Sequence, residues 1–310
     1  MSKLISIITV NLNNLHGLKK TVESLVGQGS ENFEWVFVDG VSADGSWEYV
    51  QEMANSGQFQ FPIKLTSEKD SGIYDAMNKG IMRSEGEYIL FLNSGDSFRT
   101  NYSLQKFEEE YELEKDLAFY SFAIELEGYG VQVTYPTELR EEFFWNSSLC
   151  HQSTFIHKSV FENLGLYNTN YRIIADRYHF IEGIFKHGYR YKIINEFHLV
   201  IFNGDGISST QYALRVAEIE RMFTEIFGPF VVRNLIELGY YKSLEKNRLI
   251  WRGMLALIRW KSSIVVGVER VVQFFKKLIV GNSPQNRNAI QRGIVGLVQN
   301  FVKKKKIKIE

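Results

Sequence analysis

The sequence is poor in cysteine and lacks the short motifs that mark zinc enzymes and serine hydrolases. Cys150 is the one cysteine among 310 residues, which excludes an intramolecular disulfide framework and favours a reducing compartment. The six histidines show no metal-binding spacing, and neither HExxH nor paired CxxC occurs, so a structural zinc is not expected. GxSxG is also missing, which argues against serine-based hydrolysis.

Long uninterrupted apolar segments are scarce as well. The apolar run at residues 4–10 is broken by Thr9 and followed by Asn11, which predicts a first β-strand rather than a secretory signal. Near the carboxyl end, charges interrupt the apolar residues too often for a spanning helix, which needs about 20 of them. The sequence therefore predicts a cytoplasmic protein without a transmembrane helix.

The formal net charge of zero conceals a strong asymmetry. Residues 247–310 hold 14 Lys and Arg against 2 Glu, so the rest of the chain is acidic. A helix over 248–279 would carry a narrow stripe of arginines beside a broad apolar arc, which is typical of an interfacial helix on an anionic membrane. The alternative is an amphipathic helix that packs on the acidic body. No nucleic-acid-binding motif accompanies the basic residues, so no nucleic-acid partner is expected.

The first third of the chain alternates strands with helices. Apolar runs predict strands at residues 4–10, 35–38, 63–66 and 88–92, and helical spacing predicts helices between them. This alternation indicates a mostly parallel sheet with right-handed crossovers.

The alternation is lost after residue 100. Strands are predicted at 117–126, 130–135 and 191–202, with short helices at 160–164 and 177–186. We divide the chain into an α/β domain, residues 1–205, and a helical, basic extension, residues 206–310.

Residues 67–96 concentrate the candidate chemistry. They predict a loop, a helix, a strand and a second loop, and their carboxylates fall in the loops or in the first helical turn. Loops at strand ends are where an open α/β sheet binds its ligands.

Four segments in this order, ISIITVNLNN, VFVDGVSADGS, SEKDSGIYDAMNKGI and FLNSGD, resemble the family 2 glycosyltransferases of bacterial polysaccharide synthesis. The resemblance is strongest over residues 3–100, and a later segment, HQSTFIHKSVFENLGLYNTNYRIIADRYHF, resembles the acceptor side of such enzymes. It implies the GT-A fold, an α/β nucleotide-diphospho-sugar transferase fold with a Rossmann-like mixed sheet. Residues 1–205 would be the catalytic domain, with residues 1–100 as its donor half and 101–205 as its acceptor half.

The resemblance also implies a donor site. The residues expected to bind the nucleotide sugar are Thr9, Asn11, Asp39, Glu68, Asp70, Asn78 and Ser94. Asp39 follows a strand and could accept hydrogen bonds from the base or ribose, although an Asp-Gly pair is also a common turn. Glu68 could equally cap the following helix. Asp96 is placed to hold Mg²⁺ or Mn²⁺ together with the donor diphosphate. Because Asn93 and Gly95 stand where carboxylates are usual, strict metal dependence is less secure than the fold.

The acceptor side is expected to carry the base. Asp176, in IIADRYHF, is the carboxylate that we expect to take the acceptor proton, and its alternative role is an N-cap for the following helix. His151 and Gln152 are expected to line the acceptor side, although an isolated histidine is more often structural.

The sequence-based hypothesis is an inverting transfer of a sugar from a nucleotide donor, a UDP-sugar, to a saccharide acceptor that is lipid-linked and presented at the inner face of the plasma membrane. A nucleotidyltransferase is one alternative, but the glycine- and arginine-rich phosphate loop of such enzymes is absent. The other is a non-catalytic, membrane-associated nucleotide-sugar-binding module. A non-acidic residue at position 39, 96 or 176 would favour the module, but all three positions are aspartates.

Overall fold

The computed structural model describes residues 3–128, 130–203 and 211–246, with side chains as far as Glu237. The basic region 247–310, for which the sequence predicts a membrane-binding helix, lies outside the described residues. The chain divides into two compact units, Met1–Val232 and Arg233–Glu310. Of the second unit, only the segment Arg233–Lys246 is described, and it is helical.

The described residues form nine strands and nine α-helices. The strands are β1 (Ile5–Asn11), β2 (Phe33–Asp39), β3 (Ile63–Ser67), β4 (Tyr88–Phe91), β5 (Ser97–Phe98), β6 (Phe119–Leu126), β7 (Val131–Val133), β8 (Thr154–His157) and β9 (Tyr191–Phe202). The helices are α1 (Leu15–Val26), α2 (Ser46–Asn55), α3 (Ile73–Arg83), α4 (Ser103–Leu113), α5 (Glu141–Asn146), α6 (Lys158–Leu164), α7 (Ala175–Ile181), α8 (Tyr212–Phe227) and α9 (Pro229–Lys246). A short 3₁₀ helix, His151–Ser153, precedes β8, and a π-helix, Glu182–Lys186, continues α7.

The strands form one mixed sheet in the order β3-β2-β1-β4-β8-β6-β9-β5, with β7 paired to β6. The first four of these are parallel, so the carboxyl ends of β1, β2, β3 and β4 meet at one edge of the sheet. Antiparallel β8 then joins this half to the β6–β9 pair of the second half. The edge where the polar loops of the first half gather therefore faces the loops of the second half.

Helices cover both faces of the sheet. Because side chains alternate along a strand, Ile5 and Ile7 of β1 face a core that also holds residues of α1, α2 and α4. Ile8 faces the other way and touches α3, where a Cβ on Gly80 would lie only 2.4 Å from Ile8 Cγ2. The absence of a side chain at Gly80 thus lets α3 approach the sheet closely. This contact positions the first turn of α3 beside the polar loops.

The observed fold is the mixed α/β fold that the sequence predicts, with some local differences. The sequence analysis did not predict β5, β8, α4 or α5. β5, β8 and α5 have two, four and six residues, which is too few for a clear apolar period. Helix α4 does have apolar residues at helical spacing, Leu104, Phe107 and Tyr111. The prediction that Asp176 lies in a loop before a helix at 177 is wrong, because α7 already begins at Ala175 after its N-cap Ile174. Asp176 therefore lies in the first helical turn and is not the N-cap.

Helix α8 is part of the first unit, whereas the sequence assigns it to the extension. The buried carboxylate of Glu218 accepts hydrogen bonds from the backbone N–H groups of Arg172, at 2.7 Å, and Ile173, at 3.0 Å. The domain boundary at residue 205 stays a prediction. Of the helices in the described part of the chain, none combines the length and apolar content that a membrane crossing requires.

Candidate active site

A cavity of about 750 Å³ lies at the carboxyl ends of β1 and β4, between the loops of the two halves of the sheet. This volume suits a ligand of substrate size. Six of the ten residues that we expect in the site line it, together with the metal candidate. They are Asn11, Asp70, Ser94, Asp96, His151, Gln152 and Asp176.

Asp39 lies beneath the cavity rather than on its surface. It is fully buried, and its carboxylate accepts hydrogen bonds from the side chains of Asn11 (3.0 Å), Ser42 (2.6 Å) and Ser67 (3.0 Å). The Ser42 backbone N–H donates a further bond of 2.8 Å. Asp39 thus holds together the ends of β1, β2 and β3. A direct contact between Asp39 and a nucleotide stays a prediction.

Asp70 reaches the cavity because the residue opposite it has no side chain. A Cβ built on Gly40 would lie 2.7 Å from Asp70 Oδ2, inside van der Waals contact. The other oxygen of Asp70 accepts a 2.9 Å bond from Gly72 N–H, immediately before α3. Glu68, by contrast, forms a 2.8 Å ion pair with Arg83 and does not line the cavity. Asp70 therefore binds the backbone N–H of Gly72, the N-cap residue of α3, whereas the recorded partner of the Glu68 side chain is Arg83.

The loop Asn93–Asp96 is held in place by helix α1. Asn14 Nδ2 donates to the Ser94 carbonyl at 2.9 Å, and the Thr21 hydroxyl donates to the Asp96 carbonyl at 2.7 Å while it accepts from Gly95 N–H at 3.0 Å. Gly95 has a φ of 107°, which disfavours any residue with a Cβ. These bonds present the Asp96 side chain at the base of the cavity.

Asp96 is a cavity carboxyl group whose protonation is strongly affected by burial. Burial raises the pKa of its carboxyl to about 6, although hydrogen bonds from Asn203 N–H (3.0 Å) and Gln152 Nε2 (3.1 Å) lower it in part. A buried carboxylate without a cationic partner favours its protonated form. A bound cation would reverse this preference.

The residues around Asp96 fit a divalent cation that is shared with a diphosphate, but not one held by the protein alone. Within residues 3–128, 130–203 and 211–246, no group of three or more His, Cys, Asp or Glu side chains is arranged to hold a metal ion. Asn93, however, has a buried side-chain oxygen without a hydrogen-bond partner in this part of the chain. An amide oxygen and one carboxylate are suitable ligands for Mg²⁺ or Mn²⁺, and phosphate oxygens would complete the shell.

Asp176 is held on both sides by side chains from other elements. Its Oδ2 lies 2.9 Å from His151 Nδ1, and its Oδ1 lies 2.7 Å from the Tyr74 hydroxyl. The side chains of Asp176 and His151 are only 12% and 15% exposed, so their interaction is poorly screened by solvent. The other ring nitrogen of His151 lies 3.2 Å from Asn93 Nδ2. A chain of polar contacts therefore runs from Tyr74 to the Asn93–Asp96 loop.

These contacts keep Asp176 ionised. Burial alone would raise the pKa of its carboxyl, but the hydrogen bond and electrostatic interaction with His151, together with the hydrogen bond from the Tyr74 hydroxyl, outweigh burial and hold the pKa below its usual value. Burial and the nearby Asp176 charge raise the pKa of Tyr74, which therefore stays protonated. An ionised carboxylate at the cavity surface is able to accept a proton from a bound hydroxyl.

The expected acceptor-side residues connect the two key carboxylates. His151 contacts Asp176, while its neighbour Gln152 donates to Asp96, so the 3₁₀ helix His151–Ser153 bridges the candidate base and the candidate metal ligand. His151 and Gln152 therefore do more than line the acceptor side, because each contacts one of the two carboxylates.

Two expected donor residues have structural partners instead of facing the cavity. Thr9 is fully buried, where its hydroxyl donates to the Leu92 carbonyl (2.8 Å) and accepts from Trp35 Nε1 (2.9 Å). Asn78 exchanges two 2.9 Å hydrogen bonds with the backbone of Tyr167. Donor contacts by Thr9 and Asn78 stay predictions.

The sequence-based hypothesis missed Tyr74 and three arginines that line the cavity, Arg172, Arg177 and Arg215. Tyr74 is 102 positions from Asp176, and no pattern in the sequence relates the two. A buried tyrosine at helical spacing is ordinarily read as core. A weak signal did exist for Arg177, which directly follows the candidate base.

Comparison with known proteins identifies the family. The family model described as glycosyl transferase family 2 matches residues 6–165, which is more than half of the chain and includes the first strand, the Asn93–Asp96 loop and His151. The chain belongs to glycosyl transferase family 2. This finding confirms the family to which the motifs pointed.

The relatives of the chain include curated proteins that are named as biosynthetic glycosyltransferases. A PGL/p-HBAD biosynthesis glycosyltransferase of Mycobacterium bovis (strain BCG / Pasteur 1173P2) is 30% identical over 184 residues, which cover 56% of this chain and 66% of the relative. A putative teichuronic acid biosynthesis glycosyltransferase, TuaG of Bacillus subtilis (strain 168), is 31% identical over 116 residues, which cover 37% of this chain and 44% of TuaG. The chain thus matches just under two thirds of the first relative's length.

Solved structures share the fold at low sequence identity. The mannosyltransferase PcManGT from Pyrobaculum calidifontis, in complex with GDP-Man and Mn²⁺, matches with a TM-score of 0.59 and 14% identity over 99% of this chain and 89% of that one. S. aureus TarS 1-349 in complex with UDP-GlcNAc matches with a TM-score of 0.52 and 15% identity over 71% of this chain and 70% of that one. The GT-A fold predicted for this family 2 chain is confirmed.

Proposed function

We propose that this chain is an inverting glycosyltransferase that moves a sugar from a nucleotide-diphosphate donor, a UDP-sugar, to a saccharide acceptor in surface polysaccharide synthesis. The observation that carries the proposal is the ionised Asp176 carboxylate at the cavity, held between His151 and Tyr74. Asp176 comes from the second half of the domain, whereas Asn11, Asp70 and Asp96 come from the first half. One wall would bind the donor, and the other would activate the acceptor.

In the proposed reaction, the acceptor hydroxyl transfers its proton to Asp176 as its oxygen forms a bond to the anomeric carbon of the donor sugar. The bond between that carbon and the diphosphate oxygen breaks, and the diphosphate leaves with the electron pair. Attack opposite the leaving group inverts the anomeric centre. A single base is sufficient for this chemistry.

Each polar residue around the donor is proposed to have a separate role. Asp70 would contact the nucleoside or sugar, and the buried Asp39 would keep Asn11 and the strand ends in position. Asp96 and the Asn93 amide oxygen would hold Mg²⁺ or Mn²⁺, which, when bound, neutralises charge on the leaving diphosphate. His151 orients Asp176, because it contacts both this carboxylate and the Asn93 amide.

The acceptor is proposed to be lipid-linked and presented at the cytoplasmic face of the plasma membrane, where the basic region 248–310 would bind anionic lipid. The charge of that region supports this part of the proposal, as do relatives whose names refer to PGL/p-HBAD and teichuronic acid biosynthesis.

A donor screen tests the activity. The purified protein is incubated with a panel of UDP-, GDP- and dTDP-sugars, with and without Mn²⁺, and donor binding and nucleoside diphosphate release are measured. We expect binding of at least one UDP-sugar. If no donor binds or is hydrolysed under either condition, the proposal is wrong.

Asp176→Asn tests the base. The amide cannot take the acceptor proton, so we expect transfer to fall by about 10²- to 10⁴-fold while the donor Kd is unchanged. Asp116→Asn is the matched control, because Asp116 is exposed, has a φ of 60° that Asn also tolerates, and lies outside the cavity. Transfer that survives in Asp176→Asn would place the base elsewhere.

A further inference from the structure

Three arginines line the second-half wall of the cavity, and the mechanism above uses none of them. Arg172 precedes α7, Arg177 lies within α7, and Arg215 belongs to α8. The ion pairs recorded among the described residues include none of these three. The cavity also contains Asp70, Asp96 and Asp176, but those carboxylates accept from backbone N–H groups and from Gln152, His151 and Tyr74.

Arg177 is a buried cation with an unused donor. Its side chain is 8% exposed, its Nη1 donates to the Phe144 carbonyl at 3.2 Å, and its Nε is buried without a partner among the described residues. Burial lowers the pKa of Arg177 to about 10, although the Asp176 charge raises it, and the positive charge of Arg215 lowers it further. Both guanidinium groups line the same cavity, and their positive charges disfavour each other there.

A buried charge is unfavourable unless an opposite charge or hydrogen bonds compensate it. The Asp176 charge acts on Arg177, but both oxygens of that carboxylate already have hydrogen-bond partners, His151 and Tyr74. Arg215 is half-buried, and its recorded side-chain contact is with the face of Tyr212, 5.3 Å from the ring centroid. A ligand that carries an oxyanion would compensate both cations.

We propose that Arg177 and Arg215 form a subsite for an oxyanion on the acceptor, either the carboxylate of an acidic sugar or a phosphate. This inference rests on the proposed function and specifies its acceptor. Guanidinium groups bind both oxyanions through paired N–H donors. Because Arg177 directly follows Asp176, the oxyanion is held next to the group that activates the acceptor hydroxyl. The acceptor is therefore an anionic saccharide unit rather than a neutral one.

Small probes test the subsite on the full-length protein. Binding of methyl glucuronide (carboxylate), glucose 1-phosphate (phosphate) and methyl glucoside (neutral) is measured by ligand-observed NMR in the presence of saturating UDP and Mn²⁺. We expect one or both anionic probes to bind about 10-fold or more tightly than methyl glucoside, and the stronger of the two identifies the oxyanion.

Variants locate the binding. Arg177→Gln and Arg215→Gln should each weaken binding of the anionic probe by about 10-fold or more and leave the neutral probe unchanged. Arg190→Gln is the matched control, because Arg190 is exposed, pairs with Glu114 and lies outside the cavity. If Arg177→Gln does not fold, Arg215→Gln alone decides, since its side chain is half-buried and has no recorded hydrogen bond.

Three outcomes overturn the proposal. The first is equal binding of neutral and anionic probes, and the second is unchanged anion binding in the folded arginine variants. The third is a donor role: the cations serve the donor if the anionic probe binds without UDP but not at saturating UDP, or if Arg177→Gln weakens binding of UDP-glucuronate but not of UDP-glucose. Failure of the donor screen would refute glycosyl transfer independently, because donor binding is measured without any acceptor probe.

Discussion

At the scale of single residues, environment separates three aspartates of the same intrinsic chemistry. Asp39 is saturated by four protein hydrogen bonds and joins three strands. Asp96 is buried beside donors that compensate it only in part, so its pKa is raised to about 6. Asp176 has His151 beside it, and its pKa is lowered. These differences suit a scaffold residue, a cation ligand and a base.

The His151 contact makes a prediction about pH dependence. A lowered pKa keeps Asp176 ionised, and so competent as a base, to a lower pH than usual. His151→Gln removes the imidazole whose hydrogen bond and electrostatic interaction oppose the effect of burial, so the Asp176 pKa should rise and the acidic limb of kcat/KM should move to higher pH. His187→Gln, at an exposed histidine, is the control. Identical pH profiles for native protein and His151→Gln would show that His151 does not act on the base.

Asp96 makes a prediction about stability. Its pKa is raised from 3.8 to about 6 in the folded state. Protonation of Asp96 therefore contributes fully to the free energy of unfolding below about pH 4, and this contribution is lost as the pH rises through 6. Asp96→Asn avoids that loss, so its free energy of unfolding at pH 7.5 should exceed that of the native protein by roughly 3 kcal/mol, and the difference should disappear near pH 4.

Urea denaturation at several pH values measures this difference. Mn²⁺ with UDP should stabilise the native protein and have less effect on Asp96→Asn, since the variant has lost the charged ligand. If Asp96→Asn is no more stable than the native protein at pH 7.5, burial does not destabilise the Asp96 carboxylate.

At the scale of elements, the site depends on contacts between helices and loops that are distant in the sequence. Helix α1 holds the Asn93–Asp96 loop, and the 3₁₀ helix His151–Ser153 spans the two carboxylates. Helix α3 has two such tasks: Tyr74 reaches Asp176, and Asn78 ties the helix to the backbone of Tyr167. The donor wall and the acceptor wall are thereby joined through α3.

Asn78→Ala should therefore destabilise the protein. The change removes two hydrogen bonds and leaves the buried N–H and C=O groups of Tyr167 unpaired, at a cost of about 1–3 kcal/mol. Met82→Ala on the same helix is the control, because Met82 is 63% exposed and should change stability little. Thermal and urea unfolding compare the two. If both variants unfold alike, the Asn78 bridge is not important for stability.

At the scale of the whole molecule, acidic and basic residues are segregated along the chain. The acidic first part contains the sheet and the cavity, and residues 247–310 carry most of the excess positive charge. Attraction of such a region to anionic lipid falls as ionic strength rises, because exposed charges are screened over about 10 Å at 0.1 M salt.

Sedimentation with vesicles tests the membrane proposal. The full chain should sediment with vesicles that contain anionic phospholipid at low salt, and should be released at high salt or from neutral vesicles. A chain that ends at residue 246 should stay in the supernatant. Equal partitioning of both proteins would refute the role of residues 247–310 and favour a helix that packs on the body.

The sequence by itself determined the order of strands and helices in the first half and the position of the polar loops. Residues 88–92 predict a buried strand and FLNSGD a loop at its end because apolar periodicity and turn residues act locally. The same local signals placed Asn11, Asp70, Ser94 and Asp96 at one edge of the sheet, since the carboxyl ends of parallel strands meet there.

The tertiary structure alone decided which partner each side chain has. The sequence could not show that Thr9 and Asn78 have structural partners, that Asp39 lies beneath the cavity, or that Tyr74 contacts Asp176 from 102 positions away. It could not show two arginines at the cavity edge either. The reason is physical: protonation and charge compensation depend on burial and on distances of about 3 Å between groups. Those distances exist only once the two halves of the sheet have packed together.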